Sequence, residues 1–413
     1  MQRFLLAIVV LLTALLLARD PHVEKMDEVF VDWLLKNSKP VGGQVPLTMI
    51  EIGREPLLTN AAEKPAENAA ETFWRGAGGV SPLEFALFLQ SILDYKPIVV
   101  AIEPVVKWRE RDKAQEQVFL DQAMRVPKLL LAAELTATPD PDVAPADIAS
   151  FLHVAGRRGD LPAFNGMARE PDEDLRLIST LGYINLPGNI FNETHVPLLF
   201  QYRGEVIPAF ALQAYLTWAR IPLGDVKIEL GSHIELPGGR QIPIRSDGSL
   251  MVNPNALGLG RRMRLNELLF LAQQKPAGKP SPLDSLRDDL VLARTPLNPL
   301  APPDIFAATI ATLQSGRFVH RVSVGFDCAV LVLIVLFAWP ATRMGRVDLI
   351  LAMIAFIAAY CLVAFACMSR FEIWIPGVVP LTTALVVLVL GLLWPRQKSV
   401  AGGAEIPALS RDE

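Results

Sequence analysis

The chain has 413 residues, with 39 lysines and arginines against 43 aspartates and glutamates and a formal net charge of −4 at pH 7. That balance, with no basic block, argues against a nucleic-acid partner. The three cysteines, Cys328, Cys361 and Cys367, all fall inside apolar runs near the C-terminus. A disulfide framework or a thiolate metal centre is therefore excluded from the rest of the chain.

In chain order, the first signal is the apolar run Phe4–Ala18 behind Met-Gln-Arg. Its length suits the hydrophobic segment of a leader as well as an anchor. Leu16 stands where a cleavage site would place a small residue ahead of Ala18, so residues 1–19 are expected to remain as an N-terminal membrane anchor. A cleaved signal segment would export residues 20–320 just as well.

Residues 20–320 have ordinary soluble composition. Pro46–Gly53 is a short apolar run ending in glycine. Ser81–Leu93 comes next, with a serine N-cap, proline at the first helical position and apolar residues at helical spacing. Pro97–Ile102 is continuous and β-branched, as a strand buried on both faces would be. Ala114–Val126 reads as an amphipathic helix and Lys128–Ala133 as a third strand. Such alternation argues for a parallel sheet with helices over its faces. Leu58–Glu71 and Thr136–Ala149 lack apolar periodicity and read as solvated loops.

The second half changes period. Pro208–Ala219 looks helical, and Ile221–Asn253 then alternates every two residues. Gly238-Gly239 and Asp247-Gly248 punctuate it as hairpin turns. Val226–Leu230, His233–Leu236, Arg240–Ile244 and Ser249–Asn253 are expected to form short antiparallel strands. Asp288–Arg294 resembles another parallel strand and Asp304–Leu313 another helix, so the chain should return to its first sheet. The expected fold is an α/β exported domain, mainly a parallel sheet flanked by helices with an antiparallel β insertion, joined to α-helical membrane spans.

Three apolar runs close the sequence: Val322–Pro340, Val347–Cys367 and Ile373–Trp394. About 20 helical residues at ~1.5 Å rise cross a ~30 Å hydrocarbon core. The link holding Arg343 and Arg346, and the tail holding Arg396 and Lys398, carry the positive charge expected on the cytoplasmic side. Three transmembrane helices over 321–395 and a short cytoplasmic tail, 396–413, place the large domain outside a bacterial cytoplasmic (inner) membrane, with the C-terminus inside.

Four phrases in this order are similar to one family. Leu181-Gly-Tyr-Ile-Asn185 resembles its G-x-(V/I)-N. Tyr202–Pro208 followed by Phe210-Ala-Leu212 resembles G-x-x-x-P-S-x-A-L. Gln241–Ile244 through Asp247–Asn253 resembles I-P-L-D-x-x-G-x-(L/M)-x-(I/V)-N. Ala307–Gly316 resembles H-A-x-x-I-x-x-L-L-x-G, and a three-span block comes after it. Over Asp27–Trp394 the chain thus resembles the cyclase/histidine-kinase-associated sensory extracellular domain of the second type, the CHASE type 2 domain. The resemblance implies an extracytoplasmic sensory module of bacterial receptors, with dimerisation expected. The sequence departs from the pattern at Glu103 and Arg245, where the family has aspartates, and at Ala307, where it has histidine. Related receptors continue past the third span into a cyclase or kinase, and no such output domain is expected within 396–413. A separate signalling effector is expected instead.

Charged side chains close the carboxyl ends of the expected parallel strands: Glu51 with Arg54 and Glu55, then Glu103, Glu134 and Arg294. In open α/β sheets ligands gather outside those ends, so this rim, with Trp74 and Arg75 from the loop above it, is the candidate ligand site. The plain alternative is a set of solvated charges and strand caps. Asp327, about five residues inside the second span, is a candidate intramembrane polar contact, with a partner sought on the third or fourth span. His233 and Glu235 share one strand face, but no third ligand accompanies them, so no metal is assigned. Asn192-Glu-Thr194 has only the form of a glycosylation acceptor. No nucleophile elbow or dinucleotide fingerprint is present. The expectation is a non-enzymatic sensor without cofactor. Its partners would be the membrane and an unknown small ligand or envelope protein. A non-sensing envelope scaffold and a membrane-anchored hydrolase are the alternatives.

Overall fold

The structure is a computed structural model that describes residues 2–17, 21–38, 43–53, 80–108, 113–138, 148–186, 194–274, 281–295, 304–322, 324–341 and 344–393. It divides into two compact units, Leu35–His320 and a second one made of Met1–Leu34 with Arg321–Glu413. The loop 58–71, most of 139–149, Asn192 and the tail 396–413 lie outside the described residues.

The first unit is built on a parallel sheet. Its elements in chain order are β1 (Leu47–Glu51), α1 (Pro82–Leu93), β2 (Val99–Ile102), α2 (Lys113–Ala123), β3 (Leu129–Thr136), β4 (Thr180–Tyr183), α3 (Phe210–Ala219), β5 (Arg261–Arg264), α4 (Leu265–Gln273), β6 (Leu290–Arg294) and α5 (Ile305–Ser315). The strand order is β5-β1-β6-β2-β3-β4, each pair parallel. A short strand, Gly166–Arg169, runs antiparallel along the end of β3. The expected return to the first sheet takes place, and it changes the neighbours. β6 inserts between β1 and β2, so the segments near residues 48 and 98 share a sheet without lying side by side.

Period-two alternation explains why both faces are covered. Ile50, Val100, Ile102, Leu129, Leu131, Val291 and Ala293 pack on one side with Phe85, Phe88 and Leu89 of α1, Phe119 of α2 and Leu268 of α4. Leu47, Met49, Val99, Ala101, Leu130, Ala132, Leu290 and Leu292 pack on the other with Phe210 of α3 and Phe306 of α5. Each of these Val, Leu, Ile, Met and Phe side chains, fully buried, contributes about 1.5–3 kcal/mol, and the alanines less. α1 starts as its sequence dictates. The Ser81 hydroxyl accepts from the Leu83 amide and the Glu84 carboxylate accepts from the Ser81 amide, with Pro82 at the first turn. This reciprocal pairing satisfies two donors that the helix leaves open.

The phrases between residues 181 and 253 are turns and close approaches. Gly182 on β4 is backed by Phe210, whose Cα would lie 3.0 Å from an added Cβ. The Asn185 side chain accepts from the Leu135 amide and donates to its carbonyl, extending the ladder by one rung. Arg203 and Gly204, both at positive φ, join Leu199–Tyr202 to Glu205–Pro208, as a two-residue hairpin requires. The expected antiparallel set is only partly one sheet. Lys227–Glu229, His233–Glu235 and Gln241–Pro243 pair in sequence, and His153–Ala155 adds to them in parallel. Ser249–Met251 instead pairs with His195–Pro197.

In the second unit, helices Gln2–Leu17, Val324–Ala341, Arg346–Phe371 and Val378–Leu393 bury Val10, Ile334, Leu349, Met353, Ala384 and Val387 among themselves. Among the described residues one helix, Arg346–Phe371, is long and apolar enough to cross a membrane. The last apolar run is not helical throughout. Ile373–Trp374 is a short strand whose Trp374 carbonyl accepts from the Val322 amide, and the helix begins at Val378. Asp27, on the helix Pro21–Asn37, accepts from the Gly377 and Val378 amides and so caps that helix.

Candidate functional site

Alternation sets the site before any contact is considered. Glu51 continues Leu47 and Met49, Arg294 continues Leu290 and Leu292, and Glu103 continues Val99 and Ala101. All three therefore point to the α3–α5 side at the carboxyl edge of the sheet. The backbone holds their strand ends together, since the Ile52 amide donates to the Arg294 carbonyl and the Glu103 amide to the Ala293 carbonyl, both at 2.9 Å.

The result is a buried ionic cluster in which Glu51, Glu103 and Arg294 are 5%, 3% and 4% exposed. Arg294 Nη2 donates to Glu51 Oε1 at 2.8 Å. Its Nη1 pairs with Asp304, the residue ahead of α5. Arg262 on β5 reaches the other Asp304 oxygen at 2.5 Å. Asp304 has φ +70° and makes no side-chain bond to its own helix. It adopts a conformation that aspartate tolerates better than most residues, and its carboxylate is turned to the two guanidiniums. Among the described residues, nothing accepts from Arg294 Nε. Burial, and then the Arg262 charge, lower the pKa of Arg294, while Glu51 and Glu103 oppose that shift. An arginine nevertheless stays charged at any physiological pH.

The structure brings Glu51, Glu103 and Arg294 together. Arg54, Glu55, Trp74 and Arg75 lie outside the described residues. Glu134 stands opposite Arg169 in the sheet register and pairs with it at 3.3 Å. Asp304 and Arg262 were missed as site residues. Asp304 reads only as a helix start, and Arg261-Arg262-Met-Arg264 has a single apolar residue to signal a strand.

Glu134 yields a pH prediction. Burial raises its carboxyl pKa and Arg169 only partly offsets this. The folded state then holds its proton more tightly than the unfolded state, so stability falls as pH rises from the ordinary value near 4.5 through the raised one. Glu134→Gln should flatten that fall, read as melting temperature against pH. An unchanged slope would place its origin elsewhere.

The other candidates separate. His195 Nε2 lies 3.1 Å from Arg245 Nη1, and His233 Nδ1 lies 2.8 Å from Ser232 Oγ. They stand in different sheets, and among the described residues no group of His, Cys, Asp and Glu is arranged to hold a metal. Among the described residues, Asp327 pairs with Arg321 at 3.4 Å, just ahead of its own helix, and not with a later one. The Arg321 guanidinium also lies 5.4 Å from the centre of the Trp374 ring. Comparison with family models, with curated proteins and with solved structures finds no match.

Proposed function

We propose that this chain is a membrane-tethered sensory protein of CHASE type 2 character, not an enzyme. In this reading its exported α/β domain binds a small polar molecule at the carboxyl rim of the sheet. The observation that carries it is Arg294, buried, tied to Glu51 on β1 and to Asp304 at the head of α5, with Nε open among the described residues. A ligand that offers Nε an acceptor, or competes for Asp304, would favour one placement of α5 over another. α5 ends at Ser315 and the first C-terminal apolar helix begins at Val324, so a shift of α5 has a short path toward the proposed spans. Binding moves such an equilibrium only through unequal affinity for the two placements. Three carboxylates (Glu51, Glu103, Asp304) face two guanidiniums (Arg262, Arg294), which disfavours a polyanion. A separate effector, reached through the helices of a homodimer, would carry the signal onward.

The test uses the full chain in detergent against a library of small polar metabolites, read by thermal shift. A compound that raises the melting temperature of the wild type but not of Arg262→Ala supports the rim. Reporter fusions near residue 200 that face the cytosol would overturn the topology. The internal pairing of the rim charges favours a second reading, an envelope scaffold that senses nothing. Co-purification of a stoichiometric envelope protein, with no small-molecule hit, would select it.

A further inference from the structure

The opposite, amino edge of the same sheet carries a different chemistry. Lys96, Pro97 and Ile98 ahead of β2, Pro127 and Lys128 ahead of β3, Arg220 after α3, and Arg287 with Asp288 ahead of β6 line an open cleft of about 320 Å³. Four cations thus converge on one carboxylate. The fold fixes where they start. Lys96 and Arg220 sit at positive φ, +51° and +59°, and close the ends of α1 and α3. The Lys96 amide donates to the Leu93 carbonyl, and the Arg220 amide to the carbonyls of Leu216 and Thr217. Lys128 Nζ reaches the Thr217 carbonyl at 3.3 Å, and the Trp218 indole donates to the Asp288 carbonyl at 3.1 Å. Asp289, the next acid along, is turned away onto the Thr48 hydroxyl at 2.5 Å.

Cations at helix C-termini have an ordinary role, which is to offset the partial charge of the last carbonyls. That charge is roughly half an elementary unit per helix. Two helix ends and Asp288 therefore account for about two of the four positive charges, and about two remain. Among the described residues, none of Lys96, Arg220 and Arg287 forms an ion pair. Two uncompensated charges around a cleft at the small end of ligand-site volumes describe the site of a compact, doubly charged anion.

We propose that this cleft binds a phosphate group, with Lys96, Lys128, Arg220 and Arg287 as its donors. Arginine offers a planar fork to two phosphate oxygens and lysine a movable point charge. The phosphate belongs either to a soluble ester or to a phospholipid headgroup. The amino edge is where α5 ends, since Gln314 Nε2 donates to the carbonyl of Pro46, the residue just ahead of β1. The inference stands apart from the sensory reading, because it uses none of the rim residues.

The test takes the full chain in a zwitterionic detergent and titrates inorganic phosphate against chloride at matched ionic strength, by calorimetry and thermal shift. A second arm places the chain in nanodiscs of phosphatidylcholine alone or with phosphatidylglycerol. Lys96→Glu/Arg287→Glu alters two exposed side chains, and Arg287→Gln is the milder variant should the double one fold poorly. Wild type is expected to be stabilised by phosphate beyond chloride, with at least tenfold weaker binding in the double variant. Saturation by free phosphate with no preference for the anionic nanodisc assigns a soluble ester. Stabilisation confined to the anionic nanodisc, and lost in the variants, assigns a headgroup. No stabilisation in either arm, or equal stabilisation in wild type and variants, overturns the proposal.

Discussion

Arg294→Leu is expected to destabilise the protein by about 3–5 kcal/mol, the cost of removing one partner of a buried ion pair. The loss comes less from the attraction forfeited than from what is left behind. Glu51 and Glu103 remain buried, Asp304 keeps Arg262, and desolvation forces the remaining carboxyls either to bind protons or to open the edge. The fall should be steeper at neutral than at mildly acidic pH, because protonation relieves the uncompensated charge. In a domain of this size each kcal/mol shifts the melting temperature by roughly 2–4 °C, so scanning fluorimetry of the full chain should resolve the change easily. Adding Glu51→Leu to Arg294→Leu should recover part of the loss, since replacing both partners by apolar groups can come close to neutral. A loss below about 1 kcal/mol for the single change would mean that the cluster is solvated in solution and that Arg294 does not hold α5.

The cluster also shows what a linear pattern can and cannot convey. The strands at residues 47–51, 99–102 and 129–136 were legible because each begins as a nearly continuous apolar run that meets a charge, at Glu51, Glu103 and Glu134. The same rule placed Glu51, Glu103 and Arg294 at one rim. Which strands are neighbours is not a property of any one segment. β6 lies some 240 residues after β1 and takes the position beside it, because β1 offers Arg294 a carboxylate and Leu290 pairs opposite Leu47. That insertion is why Glu51 and Glu103 flank an arginine rather than each other. β5 escaped notice for the opposite reason: as an edge strand it exposes Arg262 and Arg264 and buries only Met263. The basic cleft was equally silent. Lys96, Lys128, Arg220 and Arg287 each look like an ordinary helix-end or turn residue, and only the sheet gathers them. Asp327 was read as a contact between helices because hydropathy marks the helix but not where Arg321 lies beside it.

Phe306→Ala, in the first turn of α5, is expected to cost about 3–5 kcal/mol, as for other fully buried aromatics. Phe306 meets Phe210 of α3 edge to face, with ring centres 5.4 Å apart, and the two rings lie over the same side of the sheet. Phe210 in turn closes over Gly182, where no Cβ fits, and its backbone is fixed at the start of α3, so little of the vacated space can be refilled by its ring. A cavity should therefore persist and not collapse, which puts the cost toward the upper part of that range. The two substitutions should not be additive. With both rings gone the pair term is lost once, so Phe210→Ala/Phe306→Ala should fall short of the summed single losses by about 0.5–1.5 kcal/mol. Additivity within error would show that α3 and α5 rest on the sheet independently. Under the sensory reading the same substitution has a second consequence. Phe306 lies two residues beyond Asp304, so truncating it loosens the contact of α5 with α3 without touching the rim, while Ile310 and Ala311 keep the helix on the sheet. A rim ligand should then still raise the melting temperature of Phe306→Ala, while any ligand-dependent change measured at the C-terminal helices, for example by labels on Cys328, should shrink or vanish. A ligand response at Cys328 that survives the loss of Phe306 would route the signal through some element other than α5.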